Sequence, residues 1–402
     1  MSAERDDGSE PDKGESLAGA HLDLEVGPVA HGGHCVARHE GRVVFVRHAL
    51  PGERVRAVVT EGRAKDPYLR ADAVRVHEPS PDRVSPPCPY AGPGRCGGCD
   101  WQHATLPAQR RLKAAVVAEQ MRRLAGLEVS VEVEPVPGSP DGLGWRTRVR
   151  WSVDDEHRAG LLRHRSHEVE PIDECRIAHQ DVSGVGVTHH RWPDASSLEV
   201  SVAPASGQRL VRATPDRSGG AVTFPSLPDD VSLVLDDGRE GVVVHGRGEL
   251  SHEVHGRPFA VSSAGFWQVH PAAADVLADA VEQALEPRPG DSVLDLYAGA
   301  GLFAATLAAR VAPEGRVTAV ESSVAAASDA RRNVTGLPVR VLRGRVDRAL
   351  EGRLPVGDVV PERVDLVVLD PPRAGAGRAV TAQIARREPR RVAYVACDPA
   401  AL

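Results

Sequence analysis

Lysine is almost missing from this chain of 402 residues. Lys13, Lys65 and Lys113 are the only three, so nearly all of its 49 basic residues are arginine. Arginine pairs bidentately with phosphate and stacks on bases, which suits RNA, although genomic base composition produces the same bias. Aromatic residues are scarce at 3%. No uninterrupted apolar run approaches ~18 residues, which excludes a transmembrane helix. The N-terminus is acidic and has no apolar core, which excludes a secretory signal peptide. A cytoplasmic protein is therefore expected, with no membrane partner. The six cysteines, without an export signal, read as reduced thiols or metal ligands rather than disulfides. An excess of positive charge is missing too: the formal net charge is −7. Residues 1–20 hold six acids against Arg5 and Lys13. More than half of the deficit thus lies in one tail, and regional patches matter more than the total.

Enough apolar residues are present, at 41%, for real cores, and the length fits two to three domains. Residues 1–20 are polar and charged and read as a disordered tail. Short β-like runs follow. Leu22 to Val26 alternates, and Arg42–Val46, Arg54–Val59 and Ala71–Val76 come after it, separated by Gly and Pro turns. Several short strands at this spacing suggest a small barrel. His31-Gly32-Gly33-His34-Cys35, with Gly41 to Val46 and Leu50 to Val55, resembles the TRAM domain, an OB-like RNA-binding barrel.

Beyond the Pro-rich stretch 79–86 come Cys88, Cys96 and Cys99, with Pro and Gly between them. Close thiolates on a glycine-rich loop suit a metal, and Cys175 is the plausible fourth ligand. An iron–sulfur cluster and zinc both fit such a set. The C-x3-C-x2-C spacing of radical enzymes is absent. Leu106 to Leu127 has a helical pattern, with Leu112, Val116, Met121 and Leu124 facing inward. Trp145 to Trp151 alternates as a strand with Arg146, Arg148 and Arg150 on one face, either an RNA-facing row or an exposed sheet face. Residues 180–260 alternate weakly and extend this region in β-structure.

The chemistry lies in the last part of the chain. Val293-Leu294-Asp295-Leu296 is an apolar run that ends in Tyr297-Ala298-Gly299-Ala300-Gly301 and enters an Ala-rich helical pattern. A strand, a tight turn and a helix start let a backbone approach a nucleotide-like cofactor. Nicotinamide and S-adenosylmethionine sites share this feature. They also share an acid at the next strand end, here Glu321, able to accept ribose hydroxyls. Asp370-Pro371-Pro372-Arg373 at a later strand end has no use in hydride transfer and favours methyl transfer. Cys397 ends the neighbouring strand on the same sheet edge. A thiolate there can add to carbon-6 of a uracil and make carbon-5 nucleophilic.

Together these stretches resemble the RNA (uracil-5-)-methyltransferases, in particular the 23S rRNA branch with a TRAM domain and an iron–sulfur cluster. The resemblance runs from about Leu22 to Leu402 and is thinner over 180–250. It implies a multidomain α/β chain: an acidic tail (1–20), a TRAM-like OB β-barrel (21–80), a central α+β domain with the cysteine cluster (81–260) and a Rossmann-like class I methyltransferase domain (261–402). Phe266 to His270 resembles a family stretch that places Gln268 on the cofactor, S-adenosyl-L-methionine. Asp295 to Gly301 places Tyr297 there, and Glu321 and Asp370 match two further cofactor positions. Tyr394 to Pro399 makes Cys397 the nucleophile. Cys88, Cys96, Cys99 and Cys175 match the ligands of a [4Fe-4S] cluster. The implied partner is RNA, 23S rRNA first, acted on by a monomer. Asp398 and His270 stand where the family has Asn. The family also has closing strands and a glutamate base beyond the position of Leu402, so no residue here matches that base. Two further readings are a non-catalytic RNA-binding protein and an RNA N-methyltransferase using Asp370-Pro371-Pro372-Arg373.

Overall fold

In a computed structural model, residues 14–217 and 220–402 are described. Residues 1–13 of the expected tail lie outside them. The chain divides into two compact units: Met1–Glu134 with Arg163–His167, and Pro135–Leu162 with Glu168–Leu402.

The first unit is built on five strands: β1 (His21–Ala30), β2 (His34–His39), β3 (Arg42–Arg47), β4 (Arg54–Glu61) and β5 (Tyr68–Glu78). They close in the order β1-β2-β3-β5-β4. Strict alternation explains the closure. Leu22, Leu24 and Val26 of β1 and Val55, Ala57 and Val59 of β4 all face one core, while the residues between them face outward. Residues 15–19, read from sequence with the tail, are hydrogen bonded to this barrel. The Leu17 amide donates to the Gly62 carbonyl at 3.0 Å and the Gly19 amide to Val59 at 2.8 Å.

Helix α1 (Leu106–Gln120) starts at the Thr105 cap, whose hydroxyl accepts from the Ala108 amide. Val116 is buried as expected, but Leu124 is 64% exposed. The helix widens into a π turn over Met121–Ala125. One extra residue per turn rotates Leu124 off the apolar stripe.

The second unit holds a sheet of seven strands: β6 (Arg148–Val153), β7 (Ala159–Leu162), β8 (Val169–Pro171), β9 (Ala195–Ala203), β10 (Gln208–Pro215), β11 (Val231–Leu235) and β12 (Val242–His245), in the order β12-β11-β10-β9-β6-β7-β8. A short α2 (Gln180–Ser183) precedes β9. A hairpin, β13 (Glu249–Val254) and β14 (Arg257–Ser262), leads to α3 (Ala273–Leu285). Then β15 (Ser292–Leu296), α4 (Leu302–Val311), β16 (Arg316–Glu321), α5 (Val324–Asn333), β17 (Val339–Arg343), α6 (Val346–Leu350), β18 (Leu366–Leu369), α7 (Gly377–Ala385) and β19 (Arg391–Tyr394) alternate. Their strands form a parallel sheet in the order β17-β16-β15-β18-β19.

Both faces of that sheet are covered, so β18 reads as an unbroken apolar run and Val293–Leu296 of β15 is interrupted only by Asp295. Val293, Leu366 and Val368 face one core with Phe303 and Leu307, whereas Leu294, Leu296, Val367 and Leu369 face another with Leu342 and Ile384. Residues 81–134 and 163–167 fall in the unit of the barrel, and 135–162 with 168–260 in the unit of the parallel sheet. Two buried polar residues of α5 tie the hairpin down. The Asp329 carboxylate accepts from the Ser262 amide at 3.0 Å and its hydroxyl at 2.8 Å. The Asn333 side chain accepts from the Ala260 amide at 2.9 Å and donates to the Ala260 carbonyl at 3.0 Å.

Candidate active site

The register brings the carboxyl ends of four strands to one edge: Leu296 lies beside Val320 and Leu369, and Leu369 beside Tyr394. In open parallel sheets, ligands bind at that edge, where the strand order reverses. Here the reversal falls at β15, between β16 and β18.

The backbone leaves β15 through left-handed conformations at Tyr297 (φ 63°), Gly299 (φ 56°) and Gly301 (φ 87°). Gly301 is the residue from which α4 starts. A Cβ on Gly301 would meet Ala330 Cα at 3.3 Å, whereas one on Gly299 would meet nothing within 4 Å. Gly301 therefore permits close packing of turn on helix, and Gly299 leaves open space beside the turn for a ligand. The buried Asn333 amide donates to the Ala300 carbonyl at 2.9 Å, so it braces this turn as well as the hairpin. Sequence reading missed Asn333. Its only signal was the Asp329–Asn333 spacing of four on the small-residue face of Ala327 and Ala330.

Glu321 closes the other side. It is 9% exposed. One carboxylate oxygen accepts from the Gly299 amide at 3.0 Å, and the other accepts from the Ser323 amide at 2.6 Å. The oxygen bound to Ser323 also accepts from the Ser322 hydroxyl at 3.3 Å, so the oxygen facing Gly299 is the one that keeps a further lone pair for a ligand hydroxyl.

Asp295 is fully buried under the turn, and neither carboxylate oxygen has a hydrogen-bond partner among the described residues. Burial pushes its pKa from 3.8 up to about 7; the Ala304 amide pulls weakly the other way, and the charges of Asp370 and Glu321 push it higher. Asp370, half-buried at the end of β18, is also raised by burial. Three acids thus converge on one edge, two of them held where ionisation is costly without a cation. The raised Asp295 pKa has a consequence for stability. The folded chain keeps the proton up to about pH 7 and the unfolded chain loses it near 3.8, so stability falls as pH rises through that window. Asp295→Asn should therefore raise the melting temperature increasingly between about pH 4 and pH 7, and thermal unfolding of both proteins across that range checks it.

Cys397 is exposed. The Val395 amide donates to the Leu369 carbonyl at 2.9 Å, so the pairing of β18 and β19 extends to the residue before Asp370. Cys397 follows two residues later, on the sheet edge from which the Asp370-Pro371-Pro372 turn also leaves. The Tyr394 hydroxyl pins the two loops: it accepts from the Ala376 amide at 2.8 Å and donates to the Ala401 carbonyl at 2.9 Å. Asp398 caps its own turn by accepting from the Ala400 amide at 2.9 Å.

Other expected residues lie elsewhere. Gln268 lines a small cavity with Thr147, Arg148, Ser201 and His252, none of them in the glycine turn. Its neighbour Trp267 stacks on His252 with centroids 4.9 Å apart. The arginine row of β6 is bound to its own sheet. Arg148 pairs with Glu199 and donates to the Gly265 carbonyl at 2.7 Å, and Arg150 donates to the Ser197 hydroxyl at 3.2 Å. Cys88, Cys96 and Cys99 sit on turns of the barrel unit, and the Gly98 amide donates to Cys96 Sγ at 3.4 Å. Cys175 is buried in the other unit. Among the described residues, no group of three or more His, Cys, Asp or Glu side chains is arranged to hold a metal ion. No helix among the described residues is long and apolar enough to cross a membrane.

Comparison with known proteins agrees with this architecture. Residues 15–74 match the TRAM domain. An uncharacterized RNA methyltransferase of Streptomyces coelicolor is 51% identical over 400 residues, covering 96% of this chain and 86% of its own length. Another from Bifidobacterium longum is 36% identical and covers 92% and 86%. The fold is also that of the Pyrococcus abyssi tRNA (uracil-54, C5)-methyltransferase, solved with S-adenosyl-L-homocysteine, at a TM-score of 0.69 and 19% identity over 94% of this chain and 91% of that one. With an identity of one half across nearly its whole length, the chain belongs to the RNA methyltransferase family of these relatives.

Proposed function

We propose that this protein methylates carbon-5 of a uridine in RNA, with S-adenosyl-L-methionine as methyl donor and Cys397 as nucleophile. The observation that carries this reading is the exposed Cys397 just past the end of β19, on the sheet edge where β18 ends before Asp370 and where the glycine turn and Glu321 also lie. The residues present fit the cofactor. Gly299 opens a cradle, the Glu321 oxygen facing it offers a lone pair to a ribose hydroxyl, and the orphaned Asp295 carboxylate with Asp370 favours a cationic ligand. Tyr297 and Gln268 complete the cofactor set by family resemblance. When bound, the cofactor supplies an electrophilic methyl group on a sulfonium.

The chain's part is covalent. Cys397 Sγ adds to carbon-6 of the uracil, and the ring's electron pair moves toward carbon-5 and the 4-oxygen. Carbon-5 then takes the methyl group. Loss of the carbon-5 proton to a base restores the double bond and expels the thiolate. The target base must leave its stack to reach an exposed sulfur at a sheet edge. By resemblance we place the target in 23S rRNA. The test is nucleoside analysis of rRNA and tRNA methylated by the protein in vitro. Labelled 5-methyluridine in rRNA is expected; an N-methylated base would overturn the uracil reading, and RNA binding with no methylated product would overturn enzymatic function.

A further inference from the structure

We propose that the outer face of the barrel holds one unpaired nucleotide of RNA, with its base against Phe45 and its phosphate on Arg70, far along the chain from the reacting cysteine. This site rests on the reading of RNA as the substrate but not on the chemistry at Cys397.

Aromatic residues are 3% of the sequence, yet two sit on adjacent strands of one small face. The parallel pairing of β3 and β5 sets Val43 opposite Tyr68 and Phe45 opposite Arg70. The His34 ring lies 4.8 Å from Phe45 at 70°, and the Tyr68 ring 5.5 Å from Phe45 at 67°. The Arg70 guanidinium lies 5.5 Å from the Phe45 ring and 5.6 Å from the Tyr68 ring. Tyr68 is 41% exposed. Rings on an outward barrel face serve no core. With a cation among them they form the kind of platform on which unpaired bases stack.

The platform borders a cavity of about 560 Å³, also lined by Arg123, Arg165, Asp72 and Glu119. That volume suits a ligand the size of a nucleotide. Arg47, which also lines the cavity, donates to Asp100 at 3.0 Å, but the other three arginines are loosely held. Arg70 lies 3.6 Å and Arg165 3.4 Å from Glu61, and Arg123 lies 3.6 Å from Glu119. Elsewhere on the barrel, Arg56 meets Asp23 at 2.8 Å and Arg54 meets Glu78 at 2.6 Å. Charge-assisted hydrogen bonds form at about 2.7–2.9 Å, so Arg70, Arg123 and Arg165 have not committed their donors to these acids. Arg70 Nε is buried and has no hydrogen-bond partner among the described residues. A phosphate oxygen would satisfy it, and an unpaired base would cover the rings. Duplex RNA keeps its bases stacked and would leave the rings bare.

The test is binding of a short fluorescein-labelled single strand, with the same RNA closed into a duplex as control, to the full chain without cofactor. Phe45→Leu keeps the apolar bulk but removes the ring and should weaken single-strand binding by about 10-fold, within the range of one base–aromatic stack. Phe45→Tyr should restore it. Arg70→Gln should weaken it and flatten its salt dependence. Unchanged single-strand binding in both Phe45→Leu and Arg70→Gln, or an equal loss for duplex, overturns the site. Absence of methyl transfer by the unaltered protein, with these binding effects present, would instead count against the proposed reaction.

Discussion

Replacing Cys397 with alanine should lower methyl transfer by at least about 10³-fold, since removal of a covalent nucleophile leaves only positioning. Cofactor binding should stay near that of the unaltered protein. The side chain is exposed and lies beyond the last paired residues of β19, so truncation opens no cavity in either core. Single-turnover methylation with labelled cofactor, together with cofactor titration of the same preparation, separates the two effects. A neighbouring change makes a useful contrast. Tyr394→Phe keeps the ring but loses the hydroxyl that ties Ala376 to Ala401, and it acts only through the placement of Cys397.

Glu321→Ala should act on the cofactor instead. The carboxylate satisfies the amides of Gly299 and Ser323 from a nearly buried position. Each amide left without a partner costs about 1–3 kcal/mol, so the melting temperature should fall. The glycine turn would lose its anchor to β16, and any ribose its acceptor. Hydrogen bonds to a charged group contribute about 1.5–3 kcal/mol each, and cofactor affinity should drop about 10- to 100-fold on that account. Glu321→Gln should recover part of the stability and little of the affinity, because an amide offers one acceptor oxygen where the carboxylate offers two. Calorimetric titration with S-adenosylmethionine and thermal unfolding check both halves.

Much of the site was legible because it sits where pattern and topology coincide. Strands covered on both faces read as apolar runs, so the residue that ends each run marks the ligand edge. Gly299, Glu321, Asp370 and Cys397 were found that way. The barrel was legible for the opposite reason, since its strands alternate strictly about one core. What could not be read depends on contacts between distant segments. Asn333 looks like an ordinary polar residue at a helix end, yet it holds Ala260 and Ala300 at once. Asp295 looks like one more member of a motif, and only its full burial shows a carboxylate with no hydrogen-bond partner among the described residues. Leu124 followed the helical stripe until a π turn rotated it outward. Spacing grouped the four cysteines, but spacing does not fix side-chain geometry, and the described residues form no metal-holding group. Strand alternation left the arginines of 145–151 open between an RNA-facing row and an exposed sheet face, and could not show that Arg148 is bound to Glu199 and Gly265.

The most direct test of the central claim is covalent capture. RNA carrying 5-fluorouridine at the target position cannot release a carbon-5 proton, so attack by Cys397 followed by methylation should leave protein and RNA joined. We expect a band of slower mobility under denaturing conditions that requires S-adenosylmethionine and that peptide mapping places on Cys397, with Cys397→Ala forming none. An adduct that persists in Cys397→Ala, or none in protein that converts ordinary uridine to 5-methyluridine, would contradict the assignment of Cys397 as the nucleophile.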